Sequence, residues 1–175
     1  MVARAYSCLR CGACCVGDGS AFLYPDDLRT LAGHLGLSLQ TMVDRHTDYL
    51  ILELPDGPNG WVYLPYLILR KDSKERCVFL KEGLCSVHAA KPAQCRETPF
   101  VDEFFSDDEW NAAVRKSCPA LRDVDPATLP KSAAPAAADR ERRYLELLRE
   151  NSYSLEKILG VTLPAPRILT RAELS

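Results

Sequence analysis

The chain has 175 residues, of which 47% are hydrophobic and 26% charged, and its formal net charge is -2. A chain this long buries roughly 70% of its unfolded surface, so it can form a core without disulfides. Near-neutral charge gives no electrostatic footprint for wrapping nucleic acid, no run of 18 apolar residues predicts a membrane span, and the opening MVARAYSCLRCGACC lacks the apolar stretch of a secretory leader.

The cysteine cluster Cys8–Cys15 comes first in the chain. Then YPDDLRTLAGHLGLS predicts a helix with Pro25 in its first turn, Asp26 and Asp27 at the positive end of its dipole, and Gly36 as its stop. Leu28, Leu31, Ala32 and Leu35 share its apolar face. Ser38 suits the cap of a second helix reaching His46, with Leu39, Met42 and Val43 inward. Two extended segments, 49–54 and 61–69, flank PDGPNG and predict a hairpin. Trp61, Tyr63 and Tyr66 are expected to pack in the core.

CVFLKEGLC (77–85) predicts a tight hairpin that turns near 81–83 and sets Cys77 opposite Cys85. Short helices are expected over 86–91, stopped by Pro92, and over 107–116, with the acidic run 102–109 read as a solvated loop. DVDPATLPKSAAPAAA reads as a connector. A helical segment, 137–159, follows, with a possible break near 151–153 and a stripe of Tyr144, Leu145, Leu148, Leu155 and Ile158. The last dozen residues are expected to trail over the surface. The expected fold is thus a small, irregular α+β domain, with short helices and one or two hairpins around a cysteine-lined site and a C-terminal helix outside. The cysteines divide it into a metal-binding part, 1–120, and an appendage, 121–175.

Chemistry is carried by the eight cysteines: Cys8, Cys11, Cys14, Cys15, Cys77, Cys85, Cys95 and Cys118. Two-residue gaps form the knuckle through which two sulfurs reach one metal. Gly12 and Ala13 are small enough for the backbone to curl round a metal, with N–H groups turned to the sulfurs. In the reducing cytoplasm expected for this chain, cysteines are metal ligands or redox groups before they are disulfides. The bland alternatives are disulfides or unligated thiols for the cluster Cys8–Cys15, and small buried hydrophobes for Cys77, Cys85 and Cys95. Cys14 and Cys15, if extended, point to opposite sides; they then serve two metals, or one of them is not a ligand. Two four-sulfur sites are arithmetically possible. A more economical reading joins Cys8, Cys11, Cys14 and a remote thiol, for which Cys118-Pro119 resembles the ferredoxin arrangement. His88, three residues after Cys85, is a lesser candidate ligand, and His34 and His46 read as surface or packing residues. Arg96 is expected to bind a thiolate or to pair with Glu97 or Glu103. Phosphate loops, dinucleotide fingerprints and hydrolase motifs are absent from the sequence.

The run Cys8-x-x-Cys11-x-x-Cys14-Cys15, followed by CVFLKEGLCSVHAAKPAQCR, resembles the YkgJ-like cysteine-cluster family of bacterial zinc- or iron-chelating proteins, over about residues 8–100. The resemblance implies that the first seven cysteines are the family's, together with Pro92 and Arg96; Lys91 stands where the family usually has Arg. The flagellin lysine methylases are similar in cysteine pattern and use an iron–sulfur cluster for methyl transfer, but this chain is too short for their additional regions. The expectation is therefore a metal-binding protein holding an iron–sulfur cluster or Zn2+, the cluster slightly preferred. Alternatives are a cluster-dependent enzyme and a zinc-stapled interaction module. Neither a nucleic-acid nor a membrane partner is expected, and no protein partner is legible.

Overall fold

The computed structural model describes residues 6–17, 20–55, 60–122, 124 and 128–169. Its backbone is built from seven helices and six strands among the described residues, an α+β architecture. A short strand β1 (Phe22–Leu23) leads into α1 (Pro25–Leu35) and α2 (Leu39–His46). Pro25 sits in the first turn of α1, and Gly36 ends it at φ 66°, a left-handed cap that only glycine adopts without cost. The Ser38 side chain accepts the Thr41 N–H and starts α2 as expected.

Strands β2 (Thr47–Pro55) and β3 (Trp61–Leu69) pair antiparallel along their whole length, from Thr47↔Leu69 to Pro55↔Trp61. The hairpin forms as read; its turn, 56–59, lies outside the described residues. Sheet order is β1-β3-β2-β6. The fourth strand corrects an expectation. Residues Arg167–Leu169 do not trail over the surface but form β6, a parallel strand on β2 pairing Leu50 with Arg167 and Leu52 with Leu169. An apolar Ile-Leu pair beside an open strand edge supplies the reason.

The main core lies between this sheet and the helices. It joins Leu28 and Leu31 of α1, Met42 and Val43 of α2 and Leu67 of β3 to Tyr144 and Leu148 of α6 (Ala134–Glu150) and to Leu155 and Leu159 of α7 (Leu155–Leu159). Helix α6 begins inside the stretch read as connector, because alanines favour helix and Pro135 is tolerated in a first turn. It ends at Asn151, where Ser152 and Tyr153 both take positive φ, and Ser154 then caps α7. Only Tyr66 of the three strand aromatics is buried. Trp61 and Tyr63 are about half exposed, at 48% and 51%, at the end of β3 next to the turn.

A second, smaller apolar cluster joins Phe100, Phe104 and Leu121, with Tyr6, Trp110, Val114 and Cys118 packed against it. Two helices build it: α4 (Asp102–Ser106) and α5 (Asp108–Ser117), the latter capped by Asp107 through the Trp110 N–H at 2.8 Å. The acidic run is therefore not a solvated loop. Its carboxylates crowd helix N-termini, where the dipole favours them, and Phe104 is buried at 1%. Among the described residues no helix is long and apolar enough to cross a membrane.

Candidate metal centre

The first cysteines lie on a tight curve. Arg10 and Gly12 both take positive φ, and Ala13–Cys15 then forms a single 3-10 turn. Cys14 and Cys15 are therefore not extended, and the expectation that they must point to opposite sides fails. Gly12 is required here twice over. Its φ is 73°, and a Cβ at this position would stand 2.5 Å from Leu80 Cδ1 and 3.1 Å from the Gly83 carbonyl.

The second cysteine segment is what Gly12 presses against. Strands β4 (Leu80–Lys81) and β5 (Leu84–Cys85) form the small hairpin, with Leu80 opposite Cys85. Cys77 lies outside the pairing, which corrects the predicted register. Glu82 at φ 50° and Gly83 at φ 77° form a two-residue turn, so the residue opposite Cys85 is Leu80, three positions past Cys77. Cys77 bridges instead to Lys71, and its N–H donates to the Cys15 carbonyl at 2.8 Å. The helix read over 86–91 shrinks to one 3-10 turn, His88–Ala90. Past Pro92, α3 (Ala93–Glu97) carries Cys95.

All eight cysteines line one cavity of about 400 Å³, which Leu69, Phe79, Val87, Trp110 and Val114 close with apolar walls. None is in a disulfide. The cavity lies between the two apolar clusters: Cys77, Cys85 and Cys95 pack on the main core, Cys118 on the smaller one. Cys15 lies in this cavity among Cys14, Cys77 and Cys85, whose thiols its own thiol influences. The Cys15 thiol favours the ionised forms of Cys14, Cys77 and Cys85 and lowers their pKa values, while Cys15 itself is pushed up. Burial raises Cys95 to about 12, and raises Cys118.

Main-chain N–H groups also aim at the sulfurs. The Phe79 N–H favours the Cys77 thiolate, the Val87 N–H that of Cys85, and the Ala120 N–H that of Cys118. In each the donor stands two residues after the cysteine. Such donors orient a thiolate and offset its charge, as in thiolate metal sites. Lys91 and Arg10 add positive charge near Cys14 and Cys85, and Lys71 near Cys77. The donor set therefore suits a thiophilic cation or cluster. Among the described residues no three His, Cys, Asp or Glu side chains stand at ligating separations; coordination would have to draw the thiols lining the cavity closer together.

The other candidates separate clearly. His88 lines the cavity, with its Nε2 buried and unpartnered among the described residues. His34 is exposed, and His46 stacks on Phe79 at 5.0 Å. Arg96 binds neither a thiolate nor a carboxylate in the interactions described; it donates to the Lys91 carbonyl at 2.6 Å and so closes the Pro92 loop. Glu97 pairs with Arg140 of α6, through two bonds of 2.5 and 2.7 Å. Sequence reasoning missed that partner, and it missed Tyr6. Burial and the nearby Cys8 and Cys118 raise the Tyr6 phenol to about 12. A lone tyrosine two residues before a cysteine carries no spacing signal.

A curved CxxCxxCC turn, packed on a small hairpin and opening on a thiol-lined cavity, defines an α+β cysteine-cluster domain. The model of one such family, CxxCxxCC, described as "Putative zinc- or iron-chelating domain", matches residues 7–119, and the chain belongs to that family. No curated protein and no solved structure matches it.

Proposed function

We propose that this protein chelates iron or zinc through the thiolates of Cys8, Cys11, Cys14, Cys15, Cys77, Cys85, Cys95 and Cys118. One observation carries the reading: cysteines from four separate segments line a single cavity. Free thiols brought together have no structural use of their own, since ionised they repel and exposed they oxidise. A bound cation reverses that balance, and its binding energy becomes folding energy.

An iron–sulfur cluster is the first form, supported by a cavity of about 400 Å³, more room than a lone ion needs. Zinc is the second, supported by a donor set of thiols, which suits a tetrahedral ion. The test is elemental analysis of protein purified without oxygen, together with acid-labile sulfide and the visible spectrum. Iron with sulfide and charge-transfer absorption supports the cluster, and colourless protein with zinc supports the ion. Neither metal near stoichiometry overturns the reading.

A further inference from the structure

We propose that the cavity is built to hold a centre of net negative charge, and that Lys91, with Arg10 and Lys71, neutralises it. The inference rests on the chelating function proposed above and deepens it, by naming the charge class of the bound complex and the side chains, outside the thiols, that set its affinity.

The charge of the wall is one-sided. Arg10, Lys71 and Lys91 all line the cavity, and no aspartate or glutamate does among the described residues, although the whole chain carries a net charge of -2. The ion pairs of the described residues all lie elsewhere, so none of the three cations is matched by a carboxylate there. Lys71 donates to a main-chain acceptor, the Gly17 carbonyl. Near neutral pH the thiols are therefore the wall's own source of negative charge. A surface lysine in water needs no partner. Lys91 is half-buried beside apolar walls, where charge is screened less and an unmatched cation is less favourable.

Lys91 is also held in place. Arg96 donates to the Lys91 carbonyl at 2.6 Å, Pro92 is fully buried, and the Ala93 N–H donates to Asp27 Oδ1 at 2.9 Å. Asp27 is itself buried in the first turn of α1, where its other oxygen accepts the Tyr24 N–H at 3.3 Å. The backbone at 91–93 is thus tied to both α1 and α3, and the Lys91 side chain leaves from a fixed point. Arg10 comes from the N-terminal cysteine turn, and Lys71 from the residue that bridges to Cys77. The cations therefore reach the cavity from three separate segments, as the cysteines do.

Charge accounts for the combination. In the metal-free chain protonated thiols are neutral, and cations of the wall repel one another. Thiols lose their protons when they bind a metal, and four thiolates around a divalent ion leave a net negative centre. The same wall that opposes the metal-free state then favours the loaded one.

The test is competition of the full-length, reduced chain with a chromophoric chelator for Co2+ under anaerobic conditions. Lys91→Gln is expected to weaken binding about tenfold or more, the range of supporting side chains. Lys91→Glu should weaken it further, Lys91→Arg should keep it, and Lys74→Gln, an exposed lysine outside the cavity, should leave it unchanged. Metal-free Lys91→Gln is expected to unfold in urea no earlier than the unaltered chain, whereas a merely structural lysine would lower both stability and affinity. Lys71→Gln makes the same charge change on another segment and should also weaken Co2+ binding, which keeps the inference open to disproof if a Lys91 variant fails to fold. Equal affinity across the Arg, Gln and Glu variants overturns it. So does equal weakening by Lys91→Arg and Lys91→Gln, because shape and not charge then matters; chelation stands in both cases. An unaltered chain that binds no Co2+ removes this inference together with the proposed function.

Discussion

The Cys77 N–H donates to the Cys15 carbonyl at 2.8 Å, and both side chains line the thiol cavity. Backbone and side chain thus register the two cysteine segments at one point. Cys15 is a central candidate ligand, because it joins the two segments through its carbonyl and lines the cavity beside Cys14. Its replacement by alanine is expected to lower metal affinity by at least about 100-fold, at the upper end of what even supporting residues contribute. Competition with a chromophoric chelator measures this, and unchanged affinity would remove Cys15 from the ligand set.

Metal removal is expected to lower stability. At free metal 100 times Kd the gain over the metal-free chain is about 2.7 kcal/mol. Denaturant unfolding with and without a chelator gives the difference, and coincident curves would show that the bound metal does not support the fold.

Two glycines predict opposite outcomes. Gly12→Ala places a Cβ 2.5 Å from Leu80 Cδ1 at positive φ, and is expected to destabilise by about 1–2 kcal/mol or more. Gly33→Ala, within α1 and facing open space, is expected to stabilise by roughly 0.5–1 kcal/mol. Urea midpoints of the two variants would separate in sign.

The Arg140–Glu97 pair ties α6 to the helix that carries Cys95. Its side chains are 17% and 18% exposed, and the Arg140 guanidinium also lies 5.0 Å over the Tyr24 ring. Glu97→Ala leaves a half-buried cation without its carboxylate, and is expected to cost about 2–3 kcal/mol, discounted from the fully buried case. A double-mutant cycle with Arg140→Met should return about 1–3 kcal/mol of coupling. Zero coupling would mean that the pair contributes only packing.

His46 should mark the acid limb of the stability profile. Burial first, then Arg45, Arg70 and Lys81, holds its pKa below 6.5, and its buried Nδ1 has no partner among the described residues. The folded state thus disfavours the imidazolium that the unfolded chain accepts. The stability given by neutral His46 is full above the unfolded pKa, about 6.5, and is lost as pH falls through that value toward the depressed folded one. Wild-type stability minus that of His46→Asn should therefore be flat above pH 7 and decline below about 6.5. A difference independent of pH would remove the assignment, and the subtraction cancels protonation of the thiols.

The sequence by itself determined the local features. Ser38 and Gly36 bounded helices because capping groups and left-handed glycines act within one turn. The alternating runs after Thr47 made the hairpin, and cysteine spacing identified the chemistry and the family. Only tertiary structure decided what depends on distant neighbours. Phe104 turned an acidic loop into a helix by burying itself against Phe100 and Leu121, and Ile168 with Leu169 found an open edge on β2. The CxxCxxCC run coils on Gly12 because Leu80 and Gly83 lie against it, so neighbouring thiols that an extended chain would part can face one cavity. Which sulfurs meet is a property of packing between the two apolar clusters, and spacing along the chain does not encode the distance between them.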